Sequence, residues 1–172
     1  MLVAIGFWAC TPQNNGAGAG GLEPTTAAAA DGESETYFVV NGAINATADP
    51  ALVALVKNRA GIWTLNLVTS RSVARETGRS YGVNLFFSRQ FDGRPGAYPV
   101  QSDYAGSVNA LGGSFVGDEV FSHDTAGEAE FLEFGEQISV RFEYTTYSAN
   151  DRDPDRKSVT VSGEAVVPRG EF

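Results

Sequence analysis

Residues 137–147 alternate apolar and polar side chains as far as Thr145: Ile138, Val140, Phe142 and Tyr144 on one side, Ser139, Arg141, Glu143 and Thr145 on the other. A period of two puts these sets on opposite faces of a strand, so this stretch belongs to a sheet with one buried face. Similar short runs recur along the chain, separated by turn residues. Residues 37–47 place Phe38, Val40 and Ile44 on one side. Residues 62–69 point Trp63, Leu65 and Leu67 inward, and residues 81–91 do the same with Val83, Leu85 and Phe87, leaving Phe86 on the other face. The turn residues Asp92-Gly93-Arg94-Pro95-Gly96 lead to Tyr98-Pro99-Val100. Two further strands are expected over 104–110 and 114–121, split by Gly112-Gly113, and Gly135-Glu136 marks a hairpin between 128–134 and 137–147. The last strand, 158–167, buries Val159, Val161, Ala165 and Val167.

One stretch reads differently. Asp49 is placed to cap a helix, Pro50 suits its first position, and Leu52, Leu55 and Val56 share a face. Lys57 and Arg59 fall in the last turn and Gly61 ends it, so a helix of about ten residues is expected, covering one open end of the β core. About eight strands and one short helix predict an all-β domain, an antiparallel β-sandwich of jelly-roll or immunoglobulin-like type, with a closed β-barrel as the alternative.

The first 35 residues have another texture. An apolar run, Leu2-Val3-Ala4-Ile5-Gly6-Phe7-Trp8-Ala9, ends at Cys10, the only cysteine of the 172-residue chain. Eight residues span about 12 Å as a helix, too short for a bilayer and suited to the apolar part of an export signal. Ala9 directly before Cys10 resembles the cleavage site of bacterial lipoproteins, which implies that Cys10 is acylated and becomes the new N-terminus. A plain secretion signal and a buried strand with Cys10 in the core are the competing readings. Residues 11–35 are rich in Gly, Ala, Thr and acid, and Leu22 is their only large apolar residue. Such a composition buries too little surface to offset its chain entropy and reads as a disordered tether. The expected division is therefore a signal over 1–10, a tether over 11–35, the β domain over 36–168 and a tail over 169–172.

A second resemblance lies in the later half. Pro95-Gly96-Ala97-Tyr98-Pro99-Val100, then Gly127-Glu128-Ala129-Glu130-Phe131-Leu132-Glu133-Phe134, the strand 138–144 and Val159-Thr160-Val161-Ser162-Gly163-Glu164-Ala165 together resemble a "PGxY" pattern. That turn-and-strand pattern belongs to small uncharacterised bacterial lipoproteins with a β-sandwich domain. The resemblance covers about residues 93–167 and implies fold and location; it carries no catalytic residue.

Charge narrows the partners. The net charge is −9: residues 1–35 hold Glu23, Asp31, Glu33 and Glu35 with no Lys or Arg (−4), and the remainder holds 12 positive and 17 negative charges (−5). An acidic chain lacks the clustered Lys and Arg that phosphate contacts need, so nucleic acid is not an expected partner. Contact with a membrane is expected only through a lipid anchor.

Several groups invite a chemical reading. His123, the single histidine, stands beside Asp124 near Asp118, Glu119 and Glu128; one His excludes multi-His zinc sites, and an exposed hairpin loop accounts for it. Asp151, Asp153 and Asp155 alternate as at the start of a calcium loop, although Arg156 stands where that loop needs Gly and Ser162 where it needs Glu. A solvated turn is the plainer account, and calcium is the one cofactor with any footing. Arg71, Arg75 and Arg79 recur every four residues and on a helical turn would form an anion-binding stripe. Glu128, Glu130, Glu133, Glu136 and Glu143 hold enough carboxylates for a glycosidase pair, and equally for the polar face of a sheet. Tyr98 and Tyr104 flank turns and are the aromatics least bound to the core pattern, which makes them candidates for stacking on a ligand.

No convergent catalytic set emerges. The leading expectation is a surface-anchored, non-catalytic binding or structural module at the cell envelope, periplasmic or surface-facing, with a glycan or an envelope protein as partner; a secreted form is the alternative. A small jelly-roll hydrolase using a Glu pair, or a carrier of apolar ligands in a hollow barrel, are the other two readings.

Overall fold

The computed structural model describes residues 36–57, 61–69, 78–148 and 155–168. Ten strands lie in these segments: β1 Tyr37–Gly42, β2 Ala46–Ala48, β3 Leu52–Lys57, β4 Trp63–Val68, β5 Gly82–Phe87, β6 Gly96–Gln101, β7 Leu111–Val116, β8 Val120–Phe134, β9 Gln137–Ser148 and β10 Ser158–Pro168. They form one mixed sheet in the order β2-β1-β10-β9-β8-β6-β7-β5-β4-β3. All pairings are antiparallel except the single contact between β6 and β7, at Val100 and Leu111. The all-β expectation is met. The ladder is one continuous sheet where two were expected, and it ends at β2 and β3 without closing into a barrel.

Each long strand is buried on one face, as its alternation requires. In β9, Ile138, Val140, Phe142 and Tyr144 face the core; in β10, Val159, Val161, Ala165 and Val167 do the same. Among the described residues no helix covers that face, so the sheet has to cover itself. It curls until β3 lies beside β10, with no ladder joining them. The residues of β1, β4, β5, β6, β7, β8, β9 and β10 then meet in one hydrophobic cluster. The interior is filled by rings: Phe87, Phe91, Tyr98, Phe131 and Phe134 interlock with centroids 4.8–5.7 Å apart. β8 and β9 approach each other closely at Gly127. There a Cβ on Gly127 would stand 2.2 Å from the Glu143 carbonyl oxygen, so only glycine permits the approach.

The expected helix is a strand. Residues Leu52–Lys57 form β3, paired with β4 from Leu52–Val68 to Lys57–Trp63. Val53 and Leu55 pack on the core, whereas Leu52 and Val56 are exposed. The capping cues around Asp49 and Pro50 are real but local, and six register pairs with β4 outweigh them. Gly61, read as a helix terminator, has a φ of 78° and serves the β3–β4 connection instead.

Other boundaries also move. The expected strand over 37–47 breaks at Gly42, where Asn45 closes a turn by accepting from the Gly42 amide, and β2 folds back on β1. Residues 104–110 are not a strand: a 3-10 turn, Tyr104–Gly106, opens a loop there. Gly112-Gly113 does not separate two strands but lies inside β7. The segment holding His123 is no hairpin loop but part of β8.

Replacing Gly127 by Ala is expected to lower unfolding stability by about 2–3 kcal/mol, since β8 and β9 must part to admit one methyl group. A urea unfolding midpoint equal to that of the parent chain would contradict this account of the curl.

Candidate functional site

The candidate site is built where the sheet is least regular. β8 pairs with β7 only at Phe121–Phe115 and Val120–Val116, then leaves it and pairs with β6 from Ala126–Gln101 to Phe131–Gly96. Between these two ladders β8 bulges: its register against β9 shifts between Phe121 and His123 and again between His123 and Ala126. Asp124 takes a φ of 44° there, and its carboxylate pairs with Arg156. β6 and β7 diverge from their single shared contact at Val100–Leu111, leaving a fork in the sheet. Pro99 suits this arrangement, because a residue without an N–H is tolerated on a strand that has a single ladder contact on one side, as β6 has toward β7.

A fork interrupts backbone pairing, and buried backbone groups need partners. Side-chain hydroxyls supply them. The Thr125 amide donates to Ser102 Oγ at 2.7 Å, and Thr125 Oγ1 donates to the Gly113 carbonyl at 3.2 Å. Thr125 Oγ1 lies 2.9 Å from Thr146 Oγ1, which in turn reaches the His123 carbonyl at 3.3 Å. From the core side the Tyr144 hydroxyl donates to the Ser114 carbonyl at 2.7 Å. Burial holds the Tyr144 hydroxyl well above tyrosine's ordinary pKa.

Two rings sandwich β7 at the fork. A Cβ on Gly113 would stand 2.8 Å from the Tyr144 ring inside, and a Cβ on Gly112 would stand 2.4 Å from the Tyr104 ring outside. The glycine pair therefore makes room for one aromatic on each face. Tyr104 also stacks on Phe86, with centroids 5.9 Å apart and planes 25° apart. Around it lies a depression of about 170 Å³, bordered by Phe86, Gln101, Ser102, Tyr104, Gly112, Ser122 and Thr125. None of these side chains is charged. An aromatic shelf beside an amide and several hydroxyls is equipped to hold an uncharged ligand by stacking and hydrogen bonding.

A second, larger groove of about 330 Å³ crosses the outer faces of β8, β9, β10 and β1, bordered by Tyr37, Glu128, Glu130, Arg141, Glu143 and Ser162. Glu128 and Glu143 stand directly opposite each other in register, an arrangement that costs stability through like-charge repulsion. Arg141 offsets part of it and is bound at 2.7 Å to Glu164, the contact that chiefly raises its pKa. Both Glu128 and Glu143 are exposed, and no wall excludes water from between them.

The sequence candidates are distributed unevenly. Tyr104 lies at the fork. Tyr98 does not: it is buried, its ring packs on Phe91 and Phe131, and its hydroxyl lies 2.9 Å from both Asp92 Oδ1 and the Arg94 carbonyl. Burial first, then Asp92, raises its pKa. It clips the loop before β6 and presents nothing to a ligand. Arg79 forms an ion pair with Asp118 at 3.2 Å, and its raised pKa comes first from a hydrogen bond with Tyr81, then from Asp118. Arg71, Arg75, Asp151, Asp153 and Cys10 lie outside the described residues, as do 1–35 and 169–172. Asp155 is exposed, and among the described residues no group of three or more His, Cys, Asp or Glu is placed to hold a metal. Gln101, Ser102, Ser122 and Thr125 were not singled out from the sequence as ligand contacts. Phe86 left a trace as the aromatic on the polar face of its strand, and Gly112 as half of an expected break between strands.

The chain matches no known family model, and neither curated proteins nor solved structures return a match.

Tyr144→Phe removes one buried hydrogen bond and is expected to cost about 1–2 kcal/mol of stability. The folded pKa of Tyr144 is raised, so its contribution is complete below the ordinary value of 10.0 and declines as pH rises beyond it. Stability of the parent chain should fall above that pH by about 1.4 kcal/mol per unit for this group, and Tyr144→Phe should flatten the slope. Equal alkaline slopes for the two proteins in urea titrations would contradict this.

Proposed function

We propose that the protein is a non-catalytic binding module held at the bacterial cell envelope, and that it takes an uncharged glycan at the fork between β6 and β7. The observation that carries this is the composition of the fork's border: Tyr104 stacked on Phe86 beside the Gln101 amide and the hydroxyls of Ser102 and Ser122, with no charge among them. A sugar ring offers an apolar face to an aromatic and a rim of hydroxyls to amide and hydroxyl partners. The shallow, open form suits a chain passing across the surface better than a small molecule sealed from water.

The attachment part of the proposal rests on the order of features in the first 35 residues: apolar run, Ala9, Cys10, then a Gly- and Ala-rich spacer. A lipid on Cys10 would hold the domain at a membrane while residues 11–35 give it reach. The curled sheet is read as a sandwich in function, with β3, β4, β5 and β7 over β1, β10, β9 and β8, a rigid scaffold that fixes the fork's edges.

One observation favours a second reading. Glu128 and Glu143 oppose each other in the larger groove, and paired carboxylates are what glycoside hydrolysis uses. The two readings separate cleanly. With soluble neutral oligosaccharides, Tyr104→Ala is expected to weaken binding measured by calorimetry at least about tenfold, or 1.4 kcal/mol, while Glu128→Gln leaves it unchanged. Release of reducing sugar that Glu128→Gln abolishes and Tyr104→Ala does not would overturn the proposal in favour of the hydrolase.

A further inference from the structure

Hydrogen bonds within the fork decide which polar atoms of its border remain for a ligand, and in which role. Ser102 Oγ accepts from the Thr125 amide at 2.7 Å and meets no acceptor among the described residues, so its O–H is left to donate. Gln101 Nε2 donates to Ser107 Oγ at 2.8 Å, and Ser107 Oγ donates in turn to the Asp103 carbonyl at 3.2 Å. Ser107 stands outside the border of the depression, so the nitrogen arm of the Gln101 amide is held away from it. The other arm, Oε1, takes no donor among the described residues and is left to accept. The buried Thr125 hydroxyl is already engaged by the Gly113 carbonyl and Thr146. Gln101, the last residue of β6, and Ser102 after it therefore present one fixed acceptor and one fixed donor beside the Tyr104 ring.

We infer that the fork selects acetamido sugars and seats the acetamido group itself in the depression, an inference that rests on the glycan reading of this site and narrows it. A sugar hydroxyl donates or accepts by turning its hydrogen, so a fixed donor and a fixed acceptor do not single it out. An acetamido group has fixed roles. Its carbonyl accepts, here from the Ser102 hydroxyl, and its N–H donates, here to Gln101 Oε1. The group is also planar and ends in a methyl, which suits the stack of Tyr104 on Phe86. Size points the same way. The depression of about 170 Å³ has room for roughly five or six waters at about 30 Å³ each, enough for an acetamido group and too little for a whole sugar ring. The ring then stays on the open side, as a chain passing across the surface requires. Charge disfavours the close relatives: an ammonium or a carboxylate in the depression would give up hydration with no opposite charge on the border to replace it. A sugar without the acetamido group leaves the Gln101 and Ser102 atoms to water, and a site built to hydrogen-bond a group rejects analogues that lack it.

The test is calorimetry on the full chain carrying Cys10→Ser, with cellotetraose and chitotetraose, whose units differ only in the acetamido group. Chitotetraose is expected to bind at least about tenfold more tightly. Gln101→Met keeps the length of the side chain and removes both amide atoms, and it should bring the two affinities within about threefold of each other. Ser102→Ala should do the same; because it also takes the partner from the Thr125 amide, Gln101→Met decides the matter if Ser102→Ala fails to fold. Equal affinities for the two tetramers, both lost in Tyr104→Ala, would overturn the selection and leave the glycan reading standing. Binding of neither tetramer would overturn both. A preference for chitotetraose that Gln101→Met leaves intact would also overturn the inference, because the acetamido group would then be recognised elsewhere. So would tighter binding of a capped tetra-alanine peptide, which would assign the donor and acceptor to a peptide bond.

Discussion

A sheet that is apolar on one face must find a cover, and the described part of this chain supplies no helix to provide one. The sheet meets that demand by curling over itself, and most of the remaining structure follows. Ring-bearing residues crowd the interior because a curled sheet converges there. Gly127 stands where β8 and β9 come close because any side chain would hold β8 off β9. The fork arises where the long β8 cannot remain beside β7 and follow the curl as well, so it transfers to β6. Transfer interrupts the ladder in a buried place, and the hydroxyls of Ser102, Thr125, Thr146 and Tyr144 restore the missing partners.

Charge is divided along the same line. The outer faces of β8, β9 and β10 carry carboxylates relieved by Arg141, whereas those of β3, β4, β5 and β7 are neutral. Composition cannot show this, since a net charge says nothing of its placement. The division gives the two halves different capacities. Water and ions satisfy the acidic half, while the neutral half can exchange its hydration for contact with an uncharged partner at small electrostatic cost. The fork lies in that neutral region.

What could be read from the sequence was what depends on period two. The inward residues of β4, β5, β9 and β10 follow from alternation alone, because burial on one face enforces it. The helix at Leu52–Lys57 was misread because caps and terminators are local signals, while pairing with β4 is a tertiary one. Gly112-Gly113 resembled a break between strands; its cause is two tyrosine rings, those of Tyr104 and the sequence-distant Tyr144, and no local pattern announces them. Of the candidate site, Tyr104 was legible as an aromatic beside a turn. Ser102, Ser122 and Thr125 were not, since their role comes from a bulge and a fork that exist only in the folded sheet. Tyr98 shows the reverse: it looked available from its place beside a turn, yet its ring and hydroxyl are both used internally.

Recognition, as proposed, belongs to the neutral fork and not to the acidic groove. The most direct measurement is a backbone-amide NMR titration of the protein with a neutral oligosaccharide. Recognition at the fork predicts shift changes that saturate and cluster at Gln101, Ser102, Tyr104, Gly112 and Ser122. Changes centred on Glu128, Arg141 and Glu143 would contradict it.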